Sequence, residues 1–273
     1  MTVILLALAS GATFGAMTVA IRLGLRGGSA ATAALAMLLW ATAVAVLAAL
    51  PQHDFHRSWE FLLAGLLAPG CSQVLFTLAV REAGPSRASV TVGAAPLVAV
   101  ALAFLFLDEP VRALLVLGAL AIVGGAVALA SERDRPEHVR ALALLFAVGA
   151  MTFFAVRDDI VRALHAHANP EAAAAATFIG GLLVTFLWAR RLPSRSELGR
   201  FAPAGLLFGL SYVSLFAAYF RGRVSVVSPL VATETFWAVG LSALFLRHER
   251  VGWRLALGAV LVVTGGVLIG LGR

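Results

Sequence analysis

A fixed offset of 140 residues relates the two halves of the chain. Arg22 corresponds to Arg162, Phe14 to Phe154 and Arg81 to Arg221. Glu109 corresponds to Glu249, Gly118 to Gly258 and Gly125 to Gly265. Phe61, Ala64, Gly65, Leu66, Leu67, Leu75 and Phe76 correspond to Phe201, Ala204, Gly205, Leu206, Leu207, Leu215 and Phe216, and no gap is needed. A repeat of this kind sets the architecture before any local preference does.

The repeated unit is too apolar for water. Hydrophobic residues make up 61% of the 273, and mean hydropathy is +0.95. Ten apolar runs reach the length of about 20 residues that a bilayer core requires. They cover 2–21, 29–50, 59–80, 87–107, 112–130, 140–156, 170–189, 198–220, 225–246 and 252–271, the sixth with room to extend toward Leu164. The runs are long and lack period-two alternation, so they read as helices and not barrel strands. Trp59, Trp188 and Trp253 stand at span ends, where an aromatic belt would sit. The first run has no basic segment before it and is followed by equally apolar spans, so it reads as a retained helix.

Five spans per unit is an odd number, so the second unit enters the membrane from the opposite side. The expected fold is an all-α membrane protein of ten transmembrane helices, built as two inverted five-helix repeats. Residues 1–130 form the first repeat, 131–139 a charged linker and 140–273 the second. Inverted repeats place a solute site near the midplane and open it alternately to the two sides.

Net charge is +7 and every basic residue is arginine. The arginines lie mostly between apolar runs, which reads as loop and interface charge and argues against nucleic acid as a partner. Cys71 is alone, excluding an internal disulfide, a Cys-based zinc site and a CxxC redox pair. The six histidines form no convincing metal set, and no GxxxxGK[ST] phosphate loop occurs. No cofactor, metal or catalytic residue is expected.

Glu234 stands about eight residues into the ninth span, roughly 12 Å deep at 1.5 Å per residue. A charge there is costly and should face a cavity or partner, where it could couple protons or meet a substrate ammonium. Trp237, three residues on, could wall a pocket or simply pack between helices. Gln73 in span three and Tyr212 in span eight are large polar groups that need a partner or a cavity. Phe14 and Phe154 could line that cavity from opposite repeats. The cluster Arg157-Asp158-Asp159 reads as an interfacial cap if span six ends near Val156, with Asp158 and Arg162 paired across one turn. If the helix continues, Arg157 could meet a substrate carboxylate or close a gate. Pro96 is the best hinge candidate, because an intramembrane proline frees backbone carbonyls. Gly118, Gly125, Gly258 and Gly265 suit close packing of spans five and ten. Glu109 and Glu249 should cap the helices that follow them.

These stretches resemble the EamA-like members of the drug/metabolite transporter superfamily. The resemblance rests on an apolar fourth helix closing in Glu109 or Glu249, a Gly-rich fifth helix, and a basic residue, Arg22 or Arg162, closing the first helix of each half. It departs at Phe236, which stands opposite Pro96, and at Phe14, where a Trp is usual. The resemblance implies export of amino acids or related metabolites without ATP, from the bacterial inner membrane, by a monomer with small solutes and the lipid bilayer as its partners. Rival readings are an intramembrane Mg-dependent enzyme on a lipid phosphate, using Asp158 and Asp159, and a passive solute channel.

The resemblance also implies cytoplasmic termini, whereas arginine-rich loops, above all Arg190, Arg191, Arg195 and Arg200, favour the reverse. A reporter fused after Arg273 is expected to read cytoplasmic; a periplasmic signal reverses the orientation.

Overall fold

The computed structural model describes residues 1–25, 29–52, 57–106, 113–130, 141–246 and 252–271. The Glu109 and Glu249 caps and the 131–139 linker lie outside these residues. The first repeat holds α1 (Thr2–Gly24), α2 (Ala30–Ala49), α3 (Glu60–Gly65), α4 (Ser72–Ala83), α5 (Pro85–Val92), α6 (Ala95–Phe106) and α7 (Ala113–Ala130). The second holds α8 (Ala141–Ala163), α9 (Pro170–Ala189), α10 (Arg195–Arg221), α11 (Val224–Val231), α12 (Glu234–Phe245) and α13 (Trp253–Leu271). These helices make ten spans, because three spans are each built from two helices. The chain is an all-α membrane protein of two inverted five-helix repeats.

Two-fold kinship is visible contact by contact. A Cβ on Gly65 of α3 would collide with the Thr177 carbonyl of α9. At the equivalent place, a Cβ on Gly205 of α10 would lie 2.6 Å from the Met37 carbonyl of α2. Met37 and Thr177 are themselves repeat mates, so this is one contact made twice. Likewise Gly125 of α7 faces the Gly258 carbonyl, and Gly265 of α13 faces the Gly118 carbonyl. Lipid supplies no hydrophobic drive for helix association, so missing side chains that let backbones approach are what hold such a bundle together. Large side chains on the outer faces, such as Leu47, Leu63, Leu120 and Leu187, stay exposed to lipid.

The fourth and ninth spans, expected as continuous helices, are each broken near the middle. α5 ends at Val92 and α6 begins at Ala95; α11 ends at Val231 and α12 begins at Glu234. Both breaks are tight turns of right-handed backbone closed by three-residue hydrogen bonds, such as Ala94 N–H to Thr91 O and Thr233 N–H to Leu230 O, each 3.2 Å. In the fourth span the cause is Pro96, which has no N–H for the Val92 carbonyl. Pro96 therefore stands in the first turn of α6, where proline is tolerated, and not at a kink within a continuous helix. In the ninth span, Thr233 Oγ1 donates back to Leu230 O at 2.7 Å and competes with the helix ladder. The third span is interrupted too: a π turn, Leu66–Cys71, carries extended backbone at Ala68 before Pro69. Pro203, by contrast, sits inside α10 without dividing it.

The sixth span does not stop near Val156. α8 continues to Ala163 and carries Arg157, Asp158 and Asp159 within it. The expected interfacial cap is therefore a buried part of the helix.

Gly65→Ala and Gly125→Ala are expected to destabilise the protein by about 1–3 kcal/mol each through overpacking. Gly240→Ala, whose added Cβ would meet no other part of the described structure within 4 Å, should leave thermal stability in detergent unchanged or slightly raised.

Candidate functional site

The fourth and ninth spans cross at their breaks. α5 packs on α12 and α6 on α11, so each half-helix lies against one from the other repeat. Thr235 Oγ1 of α12 donates to Ser89 O of α5 at 3.2 Å and ties the two together. α1 closes over the second break. A Cβ on Gly11 would lie 2.8 Å from Thr233 Oγ1, and one on Gly15 would lie 2.6 Å from both the Glu234 carbonyl and Trp237 Cβ.

A cavity of about 40 Å³ opens at this crossing. Its polar lining consists of Ser10, Arg157, Asp158, Ser211, Tyr212, Ser228 and Glu234, with Phe14 and Phe154 among its apolar walls. The volume is enough for water but well below the roughly 300 Å³ of a small-molecule pocket. Phe14 and Phe154, expected on opposite walls, touch edge to face with centroids 5.8 Å apart. Phe76 packs against both, at 5.4 and 6.2 Å. Ser10 and Ser211 join α1 to α10, with their hydroxyls 3.1 Å apart.

Arg157 and Asp158 form a buried pair. Arg157 Nε donates to Asp158 Oδ1 at 2.8 Å, and the two residues are 2% and 6% exposed. The guanidinium lies 4.5 Å from the Tyr212 ring centroid, and 5.8 Å from both Phe154 and Phe216. Aromatic faces attract a desolvated cation, which offsets part of its burial cost. Asp158 does not pair with Arg162 across a turn. Tyr219 Oη donates to Asp158 Oδ2 at 2.6 Å instead, and Arg162 Nη1 donates to the Tyr219 carbonyl at 3.1 Å.

Glu234 is 4% exposed and is the first residue of α12. A helix N-terminus favours negative charge, so the break is where a carboxylate is best tolerated at this depth. Among the described residues, Glu234 Oε1 has no hydrogen-bond partner, and neither has Arg157 Nη1 or Tyr212 Oη. The residues that carry two of these unbonded atoms, Glu234 and Arg157, both line the cavity.

Three predicted residues fall elsewhere. Trp237 is half-exposed, anchored by its Cβ against α1, and does not line the cavity. Gln73 is fully buried on α4, has no side-chain hydrogen bond among the described residues, and is also outside the lining. Pro96 immediately follows Ala95, which does line the cavity. Tyr219 escaped the sequence reading. Its signal was the seven-residue spacing from Tyr212 on one helix face, with each buried phenol needing an acceptor. Among the described residues, no three His, Cys, Asp or Glu side chains come close enough to hold a metal ion.

The three acidic and basic lining residues, Arg157, Asp158 and Glu234, all belong to the second repeat. Their mates are Met17, Thr18 and Ala94. Of the broken symmetries in the sequence, Glu234 against Ala94 and Arg157 against Met17 lie at the cavity. Phe236 against Pro96 does not bring a second wall, because Phe236 is half-exposed.

Comparison with known proteins gives a consistent picture. The model of a family described as EamA-like transporters matches residues 1–131 and again 141–271. A triose phosphate/phosphate translocator of non-green plastids from Brassica oleracea var. botrytis is 31% identical over 139 residues, covering 47% of this chain and 33% of that one. The phosphoenolpyruvate/phosphate translocator 1 of Arabidopsis thaliana chloroplasts is also 31% identical, covering 47% of this chain and 32% of that one. The similarity thus spans about a third of the length of these curated relatives. A protein of known crystal structure shares the fold at a TM-score of 0.72, with 19% identity over 98% of this chain and 96% of that one.

Removing Asp158 leaves the buried Arg157 charge without its partner. Asp158→Ala is expected to cost about 3–5 kcal/mol. The double replacement Arg157→Met with Asp158→Leu should recover most of this in thermal unfolding, because no lone charge remains.

Proposed function

The chain belongs to the EamA-like transporter family, and from that premise we propose that it is a secondary-active exporter of small zwitterions of the amino-acid type. Transport proceeds by alternating access and is coupled to protons. The observation that carries this reading is that Glu234 and Arg157, whose Oε1 and Nη1 have no hydrogen-bond partner among the described residues, line one cavity. The guanidinium receives a carboxylate and Glu234 receives an ammonium. Each would otherwise be a polar group left unpaired in an apolar medium.

Charge balance supports the coupling. Asp158 already compensates Arg157, so among the described residues Glu234 is the one lining carboxylate without a counter-cation. A lone charge in the membrane interior is expensive, and it is cheaply neutralised in only two ways: by a proton or by a cationic ligand. Because the two exclude each other at one oxygen pair, solute exchanges for proton. The cavity in its present contracted form admits water alone, so solute entry requires the crossed half-helices to part toward one side. The termini are cytoplasmic in this reading, and the bacterial inner membrane is its setting.

The curated relatives are phosphate translocators by name, which makes an organic phosphate the second reading. It fits the lining less well, because a multiply charged anion would meet one cation beside two carboxylates. The enzyme alternative is weaker still. Asp158 has both oxygens engaged by Arg157 and Tyr219, which leaves no open carboxylate pair to hold Mg²⁺. A passive channel would not need a site where solute and proton compete.

Glu234→Gln should fold with a thermal midpoint near that of the unmodified protein. In proteoliposomes it should abolish proton-driven flux of neutral amino acids. Undiminished flux at every pH from 5 to 8 would remove Glu234 from the mechanism.

A further inference from the structure

Resting on the zwitterion reading above, we propose that Tyr219 is a specificity-determining residue. Its hydroxyl keeps Asp158 occupied, so that Glu234 alone receives cationic groups and solutes with one ammonium are selected over solutes with two.

Tyr219 is fully buried in α10 and does not line the cavity. Asp158 does line it and is engaged on both oxygens: Oδ1 by Arg157 Nε at 2.8 Å, Oδ2 by the Tyr219 hydroxyl at 2.6 Å. A carboxylate sharing its charge between a guanidinium and a phenol O–H attracts little further cation. The cavity therefore presents two carboxylates by composition and one by chemistry. The hydroxyl is what separates those two counts. Without it, Oδ2 loses its 2.6 Å donor, and a second ammonium entering the cavity competes to replace it. The first repeat has no counterpart: Tyr219 corresponds to Ala79 and Asp158 to Thr18. The arrangement belongs to the charged half of the site and is not a general packing device of the fold.

Norleucine and lysine serve as probes, because they differ only by the terminal ammonium. Their affinities are to be measured by thermal shift and by competition in proteoliposomes. Tyr219→Phe keeps the ring and removes only the hydroxyl. It is expected to raise the lysine-to-norleucine affinity ratio about tenfold or more, the worth of one hydrogen bond to a charged group. Adding Asp158→Asn should return the ratio to its original value. A ratio unmoved by Tyr219→Phe, with norleucine still bound, overturns this inference alone. Binding of neither amino acid by the unmodified protein overturns the zwitterion reading, and this inference with it. A second measurement needs no ligand. The chain has two tyrosines, so a Tyr212→Phe protein reports Tyr219 alone in ultraviolet resonance Raman spectra. A strong-donor signature that disappears with Asp158→Asn supports the pairing, and a tyrosine insensitive to Asp158 overturns it.

Discussion

Inside a bilayer every backbone polar group must find its partner within the protein, which makes an interrupted helix expensive unless something covers the interruption. Here two interruptions cover each other. The breaks at Gly93–Ala94 and Ala232–Thr233 sit where α5 meets α12 and α6 meets α11, and three-residue hydrogen bonds close the turns. Gly11 and Gly15 allow α1 to lie directly on the second break. The other features of the centre depend on this crossing. It creates a helix N-terminus at mid-membrane, which is where Glu234 stands. It also brings that carboxylate onto the same cavity as Arg157 of α8.

The architecture was legible because duplication leaves a mark that survives divergence. Gly65 and Gly205 align in the sequence, and in space they make the same backbone contact with Thr177 and Met37. The breaks were harder to see. Both 87–107 and 225–246 read as single mostly apolar runs, because turns this tight insert no loop between the half-helices. Pro96 was recognised as a place where the ladder fails, but the failure falls four residues earlier, at the carbonyl it cannot serve. In the ninth span the equivalent break has no proline, and a threonine side chain does the same work.

Of the candidate site residues, the structure brings Glu234, Arg157, Asp158, Tyr212, Phe14 and Phe154 to one cavity and leaves Trp237 and Gln73 outside it. Trp237 shows why helical spacing is a weak guide to a pocket. It shares a helix stripe with Glu234, yet its Cβ packs on Gly15 and its ring stays half-exposed. Arg157 and Asp158 were ambiguous for a different reason. Adjacent opposite charges suit a helix end at the interface, and only partners remote in sequence, such as Tyr219 and the ring of Tyr212, make them tolerable at depth.

A symmetric scaffold with an asymmetric site carries a mechanical consequence. The inverted repeat makes the two sides of the scaffold related by pseudo-symmetry, so the scaffold alone gives little preference for opening to one side or the other. Glu234 and the Arg157–Asp158 pair sit on different helices of the same repeat, α12 and α8, and a bound zwitterion would bridge them. A proton on Glu234 neutralises the carboxylate without reaching Arg157, so it bridges nothing. In the proposed exchange the loaded and the protonated forms both give Glu234 a partner, but only the loaded form ties α8 to α12. On the proposed reading, exchange follows from that difference: two states pair Glu234, and an empty, ionised state leaves it a lone buried charge.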